Sequence, residues 1–295
     1  MNIGIYSLLQ RKQIKGVKKL KKKSNFSGQI GFVLAAAGSA VGVGNLWRFP
    51  YLVARDGGGL FLIIYLVLVL TFGFTLLTTD IAIGRKTGQS AIKAYETMCP
   101  GWKKLGFLTF LVPVLIMTYY AVIGGWILKY FIVFLTGASG DAAKDTYFTG
   151  FITNTSSVWF GLIFMFVTAL IVYNGVEGGI ERCSKFIMPV LLIMVVGIAV
   201  FSLTLKSKGA DGVVRTGLDG LKVYLIPDVS GLTVSKFLQI TLDAMSQLFF
   251  SLSVSMGIMI TYGSYVKKEV DLNKSVAQIE VVDTAVAFLA GIMII

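Results

Sequence analysis

Two stretches of small and polar residues interrupt long apolar runs, and their chemistry differs from that of the rest of the chain. The first is residues 38–45 (GSAVGVGN) and the second is residues 247–257 (QLFFSLSVSMG). Each glycine costs about 1 kcal/mol of helix propensity relative to alanine, so the first stretch favours a break in a helix. The carbonyl end of a broken helix suits a cation, and its free N–H end suits a carboxylate. The two stretches therefore predict a site for a zwitterion with a co-bound sodium ion.

The residues also allow structural explanations. The glycines could let a neighbouring helix approach closely, and the serines at 251 and 253 could bond back to the preceding turn. Tyr119 and Tyr120 could be packing aromatics, and Met256 could fill a gap. Asn45 and Asp283 favour a function, because polar groups at membrane depth are costly.

The composition indicates a bilayer protein. Hydrophobic residues make up 55% of the 295 residues and charged residues only 14%, with a net charge of +12. The mean hydropathy is +0.78. A soluble enzyme or a nucleic-acid-binding domain fits this composition poorly. With no histidine and two cysteines, the sequence excludes a Ser/His/Asp triad and a disulfide framework.

Seven apolar runs have about the 20-residue length that a transmembrane helix needs. They lie at 29–53, 59–84, 105–136, 157–174, 184–205, 237–264 and 276–295. Runs 1 and 6 contain the two polar stretches and are predicted to be discontinuous. The sequence thus predicts an all-α polytopic transmembrane bundle over 29–295, preceded by a basic tail at 1–28.

The distribution of Lys and Arg predicts the orientation. The tail and the connections 85–104, 174–185 and 266–275 hold 18 of the 27 basic residues. Because basic residues concentrate on the cytoplasmic side, we expect a multi-pass protein of the cell membrane with a cytoplasmic amino terminus. The run KKLKKK at 18–23 favours contact with lipid headgroups, and no nucleic acid is expected as a partner.

Several motifs resemble the neurotransmitter:sodium symporter family in order along the chain. They are residues 38–50 (GSAVGVGNLWRFP), 56–59 (DGGG), Tyr119-Tyr120 with Gly125-Trp126, and Asp243-Ala244 followed by residues 247–253. The resemblance to its bacterial amino-acid transporters implies an inverted-repeat symporter fold, with a first five-helix repeat at about 29–205 and the start of a second at about 237–295. It implies sodium-coupled amino-acid transport by alternating access, without enzyme activity.

The resemblance also implies two sodium sites. The first would use Ala40, Asn45, Ser251 and Asp283. The second would use the carbonyls of Gly38 and Val41, with further ligands on an eighth helix beyond these seven runs.

The same resemblance implies a substrate site and two gates. The substrate residues would be Ser39, Ala40, Val43, Gly44, Ile116, Tyr120, Phe250, Ser251, Ser253 and Met256. The gate residues would be Lys23, Phe26, Arg48 and Tyr265. Monoamine transporters of the family have an aspartate at the position of Gly42, so a glycine implies a substrate that brings its own carboxylate. The apolar lining suggests a hydrophobic amino acid.

Three departures from the family pattern modify these expectations. Asp283 stands where many members have asparagine, so its charge could replace the chloride that other members bind near the positions of Tyr65 and Gln247. We therefore expect chloride not to be required, with Asp283 titrating between turnover states. Lys23 and Phe26 replace an Arg-x-x-Trp gate, and lysine lacks the guanidinium fork.

The third departure is length, since family members continue for several more helices. The alternative to transport by this chain is therefore a truncated or split-gene product that does not transport alone and works only with a complementary carboxy-terminal chain. A nontransporting membrane subunit remains an alternative, and a channel is disfavoured because no ring of like charges is evident.

Overall fold

The computed structural model describes residues 25–208 and 212–294, which are mostly helical. Most of the predicted basic tail, including Lys23, lies outside the described residues. The all-α bundle predicted from the apolar runs is confirmed.

The first span is broken at the predicted place. Helix α1 (Gln29–Ala40) is followed by three residues, a π-helical turn (Gly44–Arg48) and α2 (Phe49–Arg55). The axes on the two sides of the break differ by 54°. Because a sharp bend in a membrane helix frees backbone polar groups, other parts of the protein must satisfy them.

Four further spans follow the predicted runs closely. The second consists of α3 (Gly59–Leu68), a π-helical turn (Val69–Gly73) and α4 (Phe74–Thr87). A short helix, α5 (Ala91–Met98), leads to α6 (Lys103–Leu135), and α7 (Ser139–Ala142) and α8 (Asp145–Ile152) precede α9 (Ser156–Tyr173). The next span is a π-helical turn (Val176–Glu181) continued by α10 (Arg182–Thr204). It begins at Val176, before the predicted start at 184. The prediction started too late because the acidic residues Glu177 and Glu181 interrupt the apolar pattern in this turn.

A small extramembrane segment connects the two groups of helices. Strands β1 (Lys206–Lys208) and β2 (Val214–Thr216) pair antiparallel, with Lys206 opposite Thr216. Helix α11 (Gly217–Leu225) follows, capped by reciprocal bonds between Thr216 and Asp219. The remaining helices are α12 (Val234–Ser251), α13 (Ile258–Gly263) and α14 (Leu272–Ile294).

The predicted sixth run, 237–264, is interrupted as expected but is not a single apolar span. Among the described residues, five helical stretches are long and apolar enough to cross a membrane, and the bent first span makes six. Helices α12 and α13 are not among them, because residues 252–257 are not helical and α12 carries Lys236, Asp243 and Gln247. The seven predicted runs are therefore present as five continuous spans, the bent first span and the interrupted sixth run, whose two helices are too short or too polar to be counted as a span.

Helix α14 lies in the core and packs against α1, α2, α4 and α10. Beside it, the rings of Phe49 and Tyr65 meet edge to face with centroids 4.9 Å apart, and both residues are fully buried. The core thus joins α14 to both halves of the broken first span and to α3.

Glycines allow α6 and α9 to pack closely. A Cβ atom at Gly125 would lie 2.5 Å from the backbone nitrogen of Gly161, closer than any real contact of that kind. Small residues serve this purpose in membrane helices, where association depends on van der Waals packing.

We predict that Gly125→Ala destabilises the protein by about 1–3 kcal/mol, because the added methyl group forces the α6 and α9 backbones apart. Thermal unfolding in detergent measures the effect. The matched control is Gly197→Ala on α10, where nothing lies within 4 Å of the added atom. Equal unfolding temperatures for the two variants would contradict the prediction.

Candidate functional site

The break in the first span leaves helix carbonyls without their usual partners. In an unbroken helix the Gly42 N–H would donate to the Gly38 carbonyl. Here it donates to Asn45 Oδ1 over 3.3 Å. Val41, at the end of α1, is extended with φ −74° and ψ 112°. The carbonyl end of α1 is therefore open at Gly38, one of the two backbone groups that the resemblance assigned to the second sodium ion.

Three buried polar side chains meet beside this break. Asn45 Nδ2 donates to Asp283 Oδ1 (2.8 Å) and to the Asp283 carbonyl (3.3 Å). Ser251 Oγ lies 2.9 and 3.0 Å from the two carboxylate oxygens of Asp283 and 3.2 Å from Asn45 Oδ1. All three residues are at most 2% exposed. We call Asn45, Ser251 and Asp283 the polar triad.

The polar triad joins three separate elements: the π-helical turn of the first span, the end of α12 and the middle of α14. It brings oxygen atoms of an amide, a hydroxyl and a carboxylate together in a dry environment. Oxygen ligands are what hard cations prefer, and the carboxylate supplies the compensating charge. The arrangement therefore has the chemistry of a small-cation site.

The second break, between α12 and α13, is stabilised by an acidic residue. Ser253 and Ser255 have φ angles of 52° and 61°, a left-handed conformation that is uncommon for residues other than glycine. The Ser255 N–H donates to Asp80 Oδ2 over 3.0 Å. In a continuous helix it would donate to the Ser251 carbonyl, which Asp80 thus leaves without that partner.

A cavity of about 320 Å³ lies between the two breaks. We call it the central cavity. Its lining includes most residues of the predicted substrate site: Ser39, Ala40, Gly44, Ile116, Tyr120, Phe250, Ser253 and Met256. It also includes Gly38 and Val41, which the resemblance assigned to sodium. Ser251 is buried in the polar triad, and Val43 lines a different cavity.

That second cavity, of about 530 Å³, shares Gly44, Tyr120 and Phe250 with the central cavity. The rings of Tyr120 and Phe250 are 6.2 Å apart. Arg48 lies on the far side of them, with its guanidinium 5.8 Å from the Phe250 ring centroid. Arg48 donates to Gln247 (3.1 Å) and Ser246 (2.9 Å) on α12. The predicted gate residue thus lies beside the rings that separate the two cavities.

At the opposite end of the first span, Phe26 is 1% exposed and its N–H donates to the Tyr265 carbonyl over 3.1 Å. The next residue, Ser27, donates its N–H and its hydroxyl to Glu181. Two predicted gate residues therefore meet here. The third, Lys23, lies outside the described residues.

The sequence reasoning missed two acidic residues that organise these breaks. Asp80 holds the break after α12, and Glu181, 1% exposed, holds the segment before α1. For Asp80, in the run 59–84, the signal was present, since an acidic residue within an apolar run is costly unless it has a partner. Glu181 lies in the stretch 174–185 that was predicted to be a connection, so no such signal marked it. Such residues are candidates for a structural or functional role even where no motif marks them.

Comparison with known proteins decides the family. The family model described as the sodium:neurotransmitter symporter family matches residues 23–155 and 149–295. The chain belongs to this family. The family consists of secondary transporters rather than enzymes, and the protein is a multi-pass membrane protein.

Individual relatives agree with this assignment. An uncharacterized sodium-dependent transporter of Bacillus subtilis, YhdH, is 34% identical over 280 residues, which cover 93% of this chain and 59% of the relative. The human sodium- and chloride-dependent taurine transporter is 27% identical over 319 residues, covering 92% of this chain and 49% of the relative. The crystal structure of MhsT in complex with L-phenylalanine matches with a TM-score of 0.80 and 38% identity, over 92% of this chain and 60% of MhsT. The chain thus spans about half to three fifths of the length of these proteins.

We predict that Asp80→Ala loosens the break between α12 and α13. The Ser255 N–H loses its acceptor, and a typical hydrogen bond contributes about 0.5–1.5 kcal/mol to stability. Hydrogen exchange measured by mass spectrometry should show faster exchange over residues 252–257 and little change in α9. Asp145→Asn, at an exposed position, is the control. Unchanged exchange in the Asp80 variant would show that the bond does not hold this segment.

Proposed function

We propose that the protein takes part in sodium-coupled symport of a hydrophobic amino acid across the cell membrane, with its amino terminus in the cytoplasm. The single observation that carries the proposal is the position of the polar triad, which lies directly beside a cavity bordered by two broken helices. A cation and a zwitterion bound there would share the charges of the broken helix ends and of Asp283.

The first sodium ion would bind to Asn45 Oδ1, the Ser251 hydroxyl, Asp283 and the Ala40 carbonyl. The Asn45 amide nitrogen donates to Asp283, and its oxygen lies between the Gly42 N–H and the Ser251 hydroxyl. The second ion would bind near the carbonyls of Gly38 and Val41. Support comes from the open Gly38 carbonyl and from relatives described as sodium-dependent transporters.

The substrate would occupy the central cavity. Its carboxylate would meet the backbone N–H groups of Val43 and Gly44 and the Tyr120 hydroxyl, and its amino group would lie near Ser253. Apolar walls that include Ile116 and Met256 favour a hydrophobic side chain. The phenylalanine complex of MhsT supports this substrate class.

Alternating access would use the two ends of the bundle described above. On one side, the rings of Tyr120 and Phe250 separate the central cavity from the cavity at Arg48. On the other side, Phe26 and Tyr265 would close the path, together with Lys23. The membrane potential would drive the cycle, because one charge moved through 100 mV releases about 2.3 kcal/mol.

Chloride would not be required, because the Asp283 carboxylate supplies the negative charge beside the first sodium ion. The contacts of Gln247 support this hypothesis: its amide donates to the Gly44 carbonyl over 3.2 Å and accepts from Arg48. The amide nitrogen and the amide oxygen of Gln247 therefore both have hydrogen-bond partners within the protein.

The proposal predicts sodium-specific stabilisation of the purified protein. A ligand that binds only the folded state raises its stability by RT ln(1 + [L]/Kd), so thermal unfolding in sodium chloride, sodium gluconate and choline chloride measures binding. We expect equal stabilisation by both sodium salts and none by choline chloride. Asp283→Asn should raise the apparent Kd for sodium at least about tenfold, because it removes the negative charge. Asp145→Asn should leave this Kd unchanged.

Equal effects of sodium and choline would contradict the cation site, and an effect of sodium chloride but not of the gluconate would contradict chloride independence. Binding of radiolabelled phenylalanine with and without sodium tests the substrate assignment. The measurement is made with the chain alone and with a carboxy-terminal complement, because the chain spans about half to three fifths of the length of its relatives.

We further predict that Gly42→Asp abolishes amino-acid binding. A Cβ atom at Gly42 has no atom within 4 Å, so a side chain fits, and its carboxylate would repel the carboxylate of the substrate. Gly42→Asn, which has nearly the same shape without the charge, is the control. Equilibrium binding should fall at least about tenfold more for aspartate than for asparagine. Equal losses would indicate a steric cause and contradict the proposed orientation of the substrate.

A further inference from the structure

A groove on the outer surface runs between the α3–α4 span and α14, with a volume of about 510 Å³. Its walls are apolar and include Leu66, Leu70 and Phe74 on one side and Val281 and Phe288 on the other. Leu70 and Val281 are 74% and 67% exposed, and both lie in membrane-spanning helices. Within the part of the chain that the structure describes, the groove is therefore open at the outer surface of two membrane-spanning helices. We call it the lateral groove.

A carboxyl group lines the lateral groove at membrane depth. Glu280 is 5% exposed, and its Oε1 atom is buried with no hydrogen-bond partner among the residues that the structure describes. The hydroxyl oxygen of Thr284 is likewise buried with no hydrogen-bond partner among these residues. The two residues are four apart on α14, so they lie on one face of the helix, and both line the groove.

The backbone of the second span makes room for this carboxyl. A Cβ atom at Gly73, in the π-helical turn between α3 and α4, would lie 2.9 Å from Glu280 Oε1. Within the described ranges, no Lys or Arg forms a salt bridge with Glu280, and the next acid on α14, Asp283, is bound to Asn45 and Ser251. A buried carboxyl group without a partner is costly, so this group is available to an external donor.

We propose that the lateral groove binds a lipophilic amine. The ammonium group donates to the carboxyl group of Glu280, and the hydrocarbon body packs against Leu66, Leu70 and Phe74. The volume lies within the range of about 300–1,000 Å³ that is usual for small-molecule sites. Charge complementarity favours an amine over a neutral amphiphile of the same length, because a hydrogen bond between two ions is about twice as strong as one between neutral groups.

The site is distinct from the central cavity. Asp283 contacts Asn45 and Ser251 in the polar triad, whereas Glu280 lies against Gly73 and in the groove. A ligand reaches the groove from the bilayer, where lipophilic amines concentrate, and need not pass the rings of Tyr120 and Phe250. The proposal therefore does not depend on the transport assignment.

Photolabelling tests the proposal on the whole chain in phosphatidylcholine nanodiscs. The probe is a decylamine derivative that carries a diazirine on its alkyl chain, and mass spectrometry locates the labelled peptides. We expect labelling on residues 66–74 and 281–288, with competition by decylamine and not by decanol. Glu280→Gln should lower this labelling at least about tenfold, because it removes the charge-assisted bond.

Two variants separate recognition from a general defect. Glu177→Gln makes the same chemical change at an exposed position and should label like the unmodified protein. Gly73→Ala keeps the charge but displaces the Glu280 carboxyl, so it should also lower the labelling. Equal labelling of the Glu280 and Glu177 variants, equal competition by decanol, or no labelling of the groove would overturn the proposal. Thermal unfolding of each variant establishes that it is folded.

Discussion

The structure depends on the requirement that backbone N–H and C=O groups in a bilayer have partners within the protein. Two helices break at membrane depth, and each break survives because buried side chains bond to the freed backbone. Asn45 accepts from the Gly42 N–H, and Asp80 accepts from the Ser255 N–H. These two bonds take donors that would otherwise close the helix, so the Gly38 carbonyl, at the central cavity, and the Ser251 carbonyl lose their usual helical partners.

The same side chains connect the breaks to each other. Asn45 of the first span bonds to Asp283 of α14, and Asp283 accepts from Ser251 at the end of α12. A cation at this point would contact three elements at once, so its binding would affect the relative position of α1, α12 and α14. That the triad holds sodium stays a prediction, but its geometry explains how one ion could influence both broken helices.

Acidic residues inside spans have three different fates here. Asp80 and Glu181 satisfy backbone N–H groups at Ser255 and Ser27, respectively. Asp283 is bonded to two polar side chains of the triad, whereas Glu280 meets an apolar groove with an unpartnered oxygen. All four residues lie within or beside apolar helices, so their positions in the sequence do not distinguish a structural role from a binding role. Their bonding partners in the folded protein make this distinction.

The amino-acid sequence by itself determined the bilayer as solvent, the approximate positions of the helices and the place of both breaks. Hydrophobic runs and glycine or serine interruptions are local properties, and they can be read without knowledge of distant contacts. The family resemblance grouped Asn45, Ser251 and Asp283 into one expected site, but only the tertiary structure decided that their side chains meet, that Asp80 reaches Ser255, and that Glu280 lines a groove on the surface. These contacts join residues up to 238 positions apart, and no local pattern encodes which side of a buried helix meets which neighbour.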